Sequence, residues 1–172
     1  MDDVTAPPDF ESYVAARRPS LRRTAYLLTG DWDRAEDVVQ DALTNLFLHW
    51  RRASRARSVD AYVRRTLVNS YLSEKRRPWR RERSTDVLPE TAYAGPADAG
   101  DARDALRRAL ATLGPSQRAV VVLRYWDDLS VEETAAALGC STGNVKSQSA
   151  RGLAHLREAL GRADAPDPEV AR

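Results

Sequence analysis

Side chains suited to contact base edges recur on one short segment near the C-terminus. Asn144 and Gln148 carry amides, which pair with adenine. Lys146 and Arg151 carry cations, which suit guanine edges or phosphates, and Ser147 adds a hydroxyl. Their spacing places all five on or beside the outer face of one helix, so the segment predicts a reader of the DNA major groove. The inner face of that helix would carry Val145, Leu153, Leu156 and Leu160.

A helix-turn-helix would position these side chains. Ser130 and Glu133 have the spacing of a capping box at the start of a first helix. The small Ala135 permits close approach of a second helix, and Gly139 can adopt the left-handed conformation of a tight turn. Ser141 would then cap the second helix. The alternative is a plain helical hairpin with solvated polar residues.

Two glycines weaken the reader helix in isolation. Gly143 and Gly152 each lower helix propensity by about 1 kcal/mol relative to alanine. The helix therefore depends on packing or on contact with DNA.

Helical periodicity also dominates the N-terminal half. Asp33 and Glu36 predict a capping box at the start of a helix of about four turns. Upstream, Asp9 would cap one short helix, and Pro19 would begin a second that ends at Gly30 and Asp31. The inner face of the four-turn helix would carry Ala35, Val38, Val39, Ala42, Leu43, Leu46, Phe47 and Trp50.

A basic segment follows. Residues 51–57 have no apolar period and predict a loop, after which Ser58 would cap a helix that runs to about Arg77 and is stopped by Pro78. Within residues 51–83, twelve basic residues face three acidic ones, a net charge of +9. A charge run of this kind indicates either a solvated face or a nucleic-acid surface. The inner face of the helix would carry Val59, Tyr62, Val63, Thr66 and Leu67.

An acidic stretch separates the two halves. Residues 84–101 contain no lysine or arginine, carry a net charge of −4 and include an Ala-Gly-Pro-Ala-Asp-Ala-Gly run, which predicts a flexible linker. After this stretch, the helical spacing of apolar residues returns. It breaks at Gly114-Pro115 and then continues to Trp126. We therefore expect an all-α fold of two small helical domains, at 9–78 and 102–161, joined by a linker at 79–101 and followed by a tail at 162–172.

Several classes of function need residues that this sequence does not contain. One cysteine, Cys140, and two histidines exclude an internal disulfide and argue against a Cys/His zinc cluster. The sequence has neither the spacing of a catalytic triad nor a glycine-rich phosphate loop, so no motif indicates an enzyme. We also expect no metal and no cofactor. Apolar runs are too short to cross a bilayer, and no signal peptide precedes them, so we expect no membrane insertion and a cytoplasmic, nucleoid-associated protein.

Four motifs in this order resemble the extracytoplasmic-function (group 4) sigma factors of the sigma-70 family, in particular the sigma-E type of the actinobacterial, streptomycete-like branch. The resemblance covers roughly residues 10–160. Its carriers are Tyr26-Leu27-Leu28-Thr29-Gly30-Asp31, Ala35-Glu36-Asp37-Val38-Val39-Gln40-Asp41-Ala42-Leu43, Ala61-Tyr62-Val63-Arg64-Arg65-Thr66-Leu67-Val68-Asn69-Ser70 and residues 113–160.

The resemblance implies that the first domain binds the −10 promoter element and the second the −35 element. It assigns the −35 contacts to the reader helix, with Ala150 where some relatives carry a larger residue. It implies capture of a flipped −10 base around Asn69, which is chemically reasonable because a basic loop beside a polar side chain can hold a base and its phosphates. Tyr62 stands where many relatives carry tryptophan. The implied −10 set is Arg55, Arg57, Tyr62, Arg64, Arg65, Asn69, Ser73, Arg76 and Arg77.

The same resemblance implies partners. Promoter DNA and core RNA polymerase, through its β′ clamp and β flap, are the expected ones, and the family also admits an anti-sigma factor. The implied polymerase contacts on the four-turn helix are Glu36, Asp37, Gln40 and Asp41. Taken without the resemblance, these residues would be interpreted as the solvated face and N-terminal charge of that helix.

Two other functions remain open from sequence. A helix-turn-helix regulator that is no polymerase subunit would explain residues 102–161 but leaves the basic block unexplained. An RNA-binding module would use the arginine loop with Trp79, Trp126 and Tyr71, and would bind without polymerase.

Overall fold

The computed structural model describes residues 10–76 and 97–163, and every regular element in these ranges is helical. The prediction of an all-α fold is confirmed. The first half comprises α1 (Phe10–Thr29), α2 (Trp32–Leu48), α3 (Trp50–Ala53) and α4 (Val59–Arg76). The second comprises α5 (Ala97–Ala111), α6 (Pro115–Val121), α7 (Val131–Leu138) and α8 (Thr142–Ala163), and α6 continues into a π-helical turn at Val122–Trp126.

The N-terminal segment is one helix, so the prediction of two short ones is wrong. Pro19 lies inside α1 on its exposed side, where it removes one backbone hydrogen bond. Tyr13 and Leu21, before and after it, are both buried in the core, and this packing keeps the helix continuous. The predicted end is confirmed: Gly30 has φ +76° and donates its N–H to the Tyr26 carbonyl at 2.7 Å. Asp9 lies outside the described residues.

The start of α2 also differs from the prediction. The N-cap is Asp31, whose backbone is extended and whose carboxylate accepts the Arg34 N–H at 2.8 Å. Asp33 is already helical, so it cannot cap, and Glu36 forms ion pairs with arginines of α1 instead of reaching back. Phe47, predicted on the inner face, is 64% exposed and contacts the ring of Phe10 edge-on at 5.2 Å. The buried face contains Ala35, Val38, Val39, Ala42 and Leu46, as predicted.

The predicted basic loop is partly helical. Its first residues form the short α3, in which Ala53 is buried, and a turn follows. Ser58 then caps α4 as predicted, since its hydroxyl accepts the Ala61 N–H at 3.1 Å. The Tyr13 hydroxyl donates to Asp60 at 2.7 Å, which fixes the start of α4 against α1. Burial in this contact raises the pKa of Tyr13, with the Asp60 hydrogen bond as a second cause.

The C-terminal end of the predicted linker is helical. Because α5 begins at Ala97, residues 97–101 are helical, and the remaining linker residues lie outside the described ranges. Alanine is the strongest helix former, and acidic residues near a helix N-terminus are favourable, so this composition starts a helix once α5 can pack on α8.

The second half packs around α8. Helices α5, α6 and α7 all contact it, and Val145 and Leu156 of α8 are buried as predicted. A Cβ atom on Gly152 would lie 2.7 Å from Cγ2 of Val121 in α6. Gly152 therefore permits a close helix–helix approach, which offsets the helix propensity that it lowers.

The two halves share one apolar cluster. Ala119, Leu123 and Ala137 from the second half are buried together with core residues of α1, α2 and α4. Arg118 at the start of α6 is 6% exposed and donates from Nε to the carbonyl of Leu27, near the end of α1, at 2.6 Å. Nothing in the sequence pattern predicts this contact between the halves.

Gly152→Ala should lower the free energy of unfolding by about 1–3 kcal/mol, because the added methyl overpacks the contact with Val121. Gly143→Ala is the matched control, since its Cβ would have only the Ser141 hydroxyl near it, at 3.9 Å, and it should gain up to about 1 kcal/mol. Urea denaturation followed by circular dichroism measures both changes. Equal loss in the two variants would contradict the close approach of α6 and α8.

Candidate nucleic-acid interface

The helix-turn-helix is formed by α7, α8 and the turn between them. Ser130 and Glu133 form the predicted capping box, with hydrogen bonds of 3.0 Å and 2.8 Å in the two directions. This bonding lowers the pKa of Glu133. Gly139 has φ +63° and ends α7 in the left-handed conformation, and Ser141 accepts the Asn144 N–H at 3.1 Å to begin α8. The capping box, the left-handed glycine and the serine cap that predicted the motif are confirmed.

The reader side chains lie on the solvent side of α8. Asn144, Lys146 and Arg151 are exposed, whereas Ser147 and Gln148 are half-buried. Val145, Ser149 and Gly152, on the opposite side, are buried against the rest of the second half. The predicted set therefore lies on or beside the accessible side of α8, which can enter a groove without unfolding the motif.

A second polar surface runs along α4. Tyr62, Arg65, Asn69 and Ser73 follow one another at three- and four-residue intervals, so they form one stripe on the helix. Arg65, Asn69 and Ser73 are exposed, and Tyr62 is half-buried. The stripe offers a cation, an amide, a hydroxyl and an aromatic ring to a single strand.

Other members of the predicted −10 set lie apart from this stripe. Arg55 and Arg57 are exposed in the turn before α4. Arg64 faces the second half, where its Nε lies 3.8 Å from a carboxylate oxygen of Asp127. Arg76 ends α4, but its side chain, like the whole of Arg77, lies outside the described residues.

The polar residues of α2 fall into two groups, one exposed to solvent and one paired with α1. Asp37, Gln40 and Asp41 are exposed and free to meet a partner. Glu36 is half-buried and forms ion pairs with Arg18 and Arg22 of α1, the second at 3.3 Å. Glu36 therefore helps to join α1 to α2, a role that its position in the sequence does not predict.

Known families match both halves. The sigma-70 region 2 model matches residues 13–81, and the sigma-70 region 4 model matches residues 103–156. The chain is 41% identical over 152 residues to the RNA polymerase sigma-E factor of Streptomyces coelicolor, covering 88% of this chain and 86% of that one. It is 33% identical to the ECF RNA polymerase sigma factor SigL of Mycobacterium tuberculosis, covering 81% and 82%.

This chain belongs to the extracytoplasmic-function sigma factors. The arrangement of the helices in this sigma factor is also similar to that in a solved structure, the sigma factor RpoE of Bartonella quintana in complex with the anti-sigma factor NepR. The TM-score is 0.71 at 31% identity, and the match covers 91% of this chain and 99% of that one. Because it spans both halves, the likeness includes the way they are packed together.

Sequence reasoning missed the polar contacts between region 2 and region 4 of this sigma factor. Asp127, directly after the π-helical turn, accepts the Thr24 hydroxyl at 2.8 Å and faces Arg64. Burial raises the pKa of Asp127, while the Thr24 hydrogen bond and the charge of Arg64 oppose that rise. Thr24, Arg64 and Asp127 are far apart along the chain, and no periodic pattern relates them, so no sequence signal could have found these contacts.

Three further features of the sigma factor bear on the alternatives. Tyr71 is 1% exposed, so it cannot stack on a base as an RNA-binding module would require, although Trp126 is 54% exposed. Cys140 is a half-buried free thiol packed beside Val120 and Val145, as a small packing residue would be. Within residues 10–76 and 97–163 there is no group of metal-ligating side chains, and no helix could span a membrane.

Lys146→Ala and Arg151→Ala should each weaken binding to duplex DNA, because each removes an exposed cation from the reader face. If the lost contact is to a phosphate, the slope of log affinity against log salt should become shallower by about 0.9. The measurement is a salt titration of binding by the polymerase holoenzyme, with Arg108→Ala, an exposed arginine on α5, as the control. A loss of the same size in the Arg108 variant would contradict the assignment of the reader face.

Proposed function

We propose that this sigma factor holds promoter DNA at two points, with region 4 on the −35 element and region 2 on the −10 element, and that region 2 opens the −10 strands. The observation that carries this proposal is the coexistence of two exposed polar surfaces, the outer face of α8 and the stripe on α4. The proposed division assigns residues 9–78 to region 2, 79–96 to the linker and 102–161 to region 4, to which the helical residues 97–101 of α5 are added, with a tail at 162–172.

The −35 contacts belong to Asn144, Lys146, Ser147, Gln148 and Arg151 on α8. Lysine and arginine suit guanine edges or phosphates, and amides suit adenine, so this face can provide both positioning and base contacts. Exposure of the first turn of α8 supports this role because the N-terminal residues of a recognition helix contact the bases.

The −10 contacts belong to the stripe on α4 and to the turn before it. An unpaired base presents polar edges and an aromatic face, which Asn69 and Tyr62 can bind, while Arg57 and Arg65 meet phosphates. Capture of the flipped base offsets part of the free energy needed to unpair and unstack it. Arg55, Ser73, Arg76 and Arg77 extend the same basic track along the strand.

The core polymerase contacts belong to α2. Asp37, Gln40 and Asp41 are exposed, and they can meet a basic surface such as we expect on the β′ clamp. Glu36 supports the contact indirectly by fixing α1 against α2. Region 4 would meet the β flap.

The protein acts through binding and has no reaction of its own under this proposal, and its place of work is the cytoplasm, on nucleoid DNA. A similar sigma factor was solved in complex with an anti-sigma factor. We propose that a protein of that class restrains this one as well. A regulator that is no polymerase subunit would account for α7 and α8 but not for the exposed acids on α2.

Asn69→Ala should impair strand opening severely while it leaves binding to core polymerase unchanged, because Asn69 is exposed and supports no packing. The measurement is permanganate reactivity of unpaired thymines in promoter complexes formed with core enzyme. A template with mismatched −10 strands is the control, since it bypasses opening and should recover a large part of the transcription. Normal opening by the variant would contradict the assignment of Asn69.

Asp41→Arg should weaken binding to core polymerase by roughly tenfold or more, since it places like charge against the expected basic surface. Asp33→Arg is the matched control, an exposed acid of the same helix outside the assigned set. Fluorescence titration of core enzyme with labelled sigma factor measures both affinities. If both variants bind as the parent does, the contact does not lie on this face of α2.

A further inference from the structure

A cleft between region 2 and region 4 has the dimensions of a small-ligand site. It has a volume of about 440 Å³ and lies between the start of α4 and α7. Sites for small molecules are typically clefts of roughly 300–1,000 Å³, and the junction of two domains is a common place for them. The size and the position of the cleft therefore suit a small molecule.

Small apolar side chains form much of the lining. Ala61 comes from region 2, and Leu129, Ala136 and Ala137 come from region 4. An alanine side chain is a single methyl group, so these residues leave space between the two helices. Tyr62 adds a half-buried aromatic ring to the same lining. A planar ring bound here would stack on the tyrosine and bury its faces against apolar groups.

The region 2 wall also carries two arginines without a carboxylate partner. Arg57 and Arg65 line the cleft and are exposed, and neither takes part in an ion pair within residues 10–76 and 97–163. Their neighbour Arg64 is paired with Asp127 at 3.8 Å. Because a guanidinium group can donate two parallel N–H groups to phosphate oxygens, this wall suits a phosphate group.

A carboxylate on the opposite wall orients the ligand. Glu133 lines the cleft, and its Oε2 accepts the Ser130 N–H at 2.8 Å. This bonding lowers the pKa of Glu133, so its carboxylate is ionised at neutral pH. The negative charge repels a phosphate, whereas an amino group can donate to the remaining oxygen, Oε1. The phosphate would therefore lie against α4, and an amino-bearing ring against α7.

Other kinds of ligand match only one part of this lining. Inorganic phosphate would pair with the arginines but would leave the apolar lining unfilled. A fatty acid would satisfy the arginines and the apolar groups, but it has no planar ring for Tyr62 and no amino group for Glu133. A nucleotide supplies a phosphate, a planar base and an amino group in one molecule.

We propose that the cleft between α4 and α7 binds a purine nucleotide. Arg57 and Arg65 hold its phosphate. Tyr62 stacks on the base, and Glu133 accepts from the amino group of the base. The evidence for this site is the lining of the cleft and does not depend on the proposed function. Its regulatory meaning rests on that function, because the nucleotide would occupy arginines that are also assigned to the −10 strand.

The test measures binding of GMP to the full-length protein, without DNA or polymerase, by nuclear magnetic resonance of the backbone amides. We expect saturable shifts on both walls, at Ala61 and Tyr62 of α4 and at Glu133 and Ala136 of α7. Guanosine and inorganic phosphate, each of which carries one part of the ligand, should bind roughly tenfold or more weakly than GMP. Added salt should weaken the binding of GMP more than that of guanosine.

Two variants change the two walls separately. Ala136→Leu fills the cleft from the region 4 side and should weaken GMP binding roughly tenfold or more. Its matched control is Ala102→Leu, at an exposed position of α5. Arg65→Gln should lower the affinity for GMP to about that for guanosine, and Arg108→Gln, an exposed arginine of α5, is its control. Circular dichroism shows that each variant keeps its helix content.

Four results would overturn the proposal. The first is the absence of any saturable shift with GMP, and the second is equal binding of GMP and inorganic phosphate. The third is a set of shifts confined to α4, which would mean that the nucleotide binds region 2 alone. The fourth is a loss of affinity in each control equal to that in its variant. Promoter-directed transcription with core enzyme tests the proposed function separately, so a failure of that function is distinguishable from a failure of this site.

Discussion

Burial of α6 against α1 and α4 is the contact on which the arrangement of the molecule depends. It places Arg118 at the end of α1, brings Asp127 to Thr24 and Arg64, and includes Leu123 in the core of region 2. The same helix packs on α8 from its other side, through the close approach at Gly152. One short helix thus connects α8, the proposed reader of the −35 element, to the region proposed to open the −10 element.

The parts of this structure that sequence could predict are those specified by neighbouring residues. The capping box at Ser130, the left-handed Gly139 and the Ser141 cap each depend on contacts within a few positions, and all three are confirmed. The buried faces of α2 and α4 follow from helical periodicity in the same way. The exposure of Asn144, Lys146 and Arg151 follows because those residues lie opposite the predicted inner face of α8.

The errors arise where tertiary packing outweighs a local signal. Pro19 favours the start of a helix, yet burial of Tyr13 and Leu21 on either side of it keeps α1 continuous. Asp33 was predicted to cap α2. The turn at Gly30 instead leaves Asp31 in the extended conformation that a cap needs, so Asp31 is the cap. The ion pair of Arg64 with Asp127 was not predicted, because Asp127 comes from the distant second half and the sequence pattern carries no trace of such a pairing.

If both proposed DNA-binding surfaces are used, the distance between them, and not the affinity of either surface alone, selects a promoter. The measurement that tests this most directly is transcription by core polymerase plus this sigma factor on a library of templates with random upstream sequence, followed by sequencing of the transcripts. We expect transcripts that require the sigma factor and share two enriched motifs at a fixed spacing. Transcripts independent of the sigma factor, or one enriched motif without a second at a fixed distance, would contradict it.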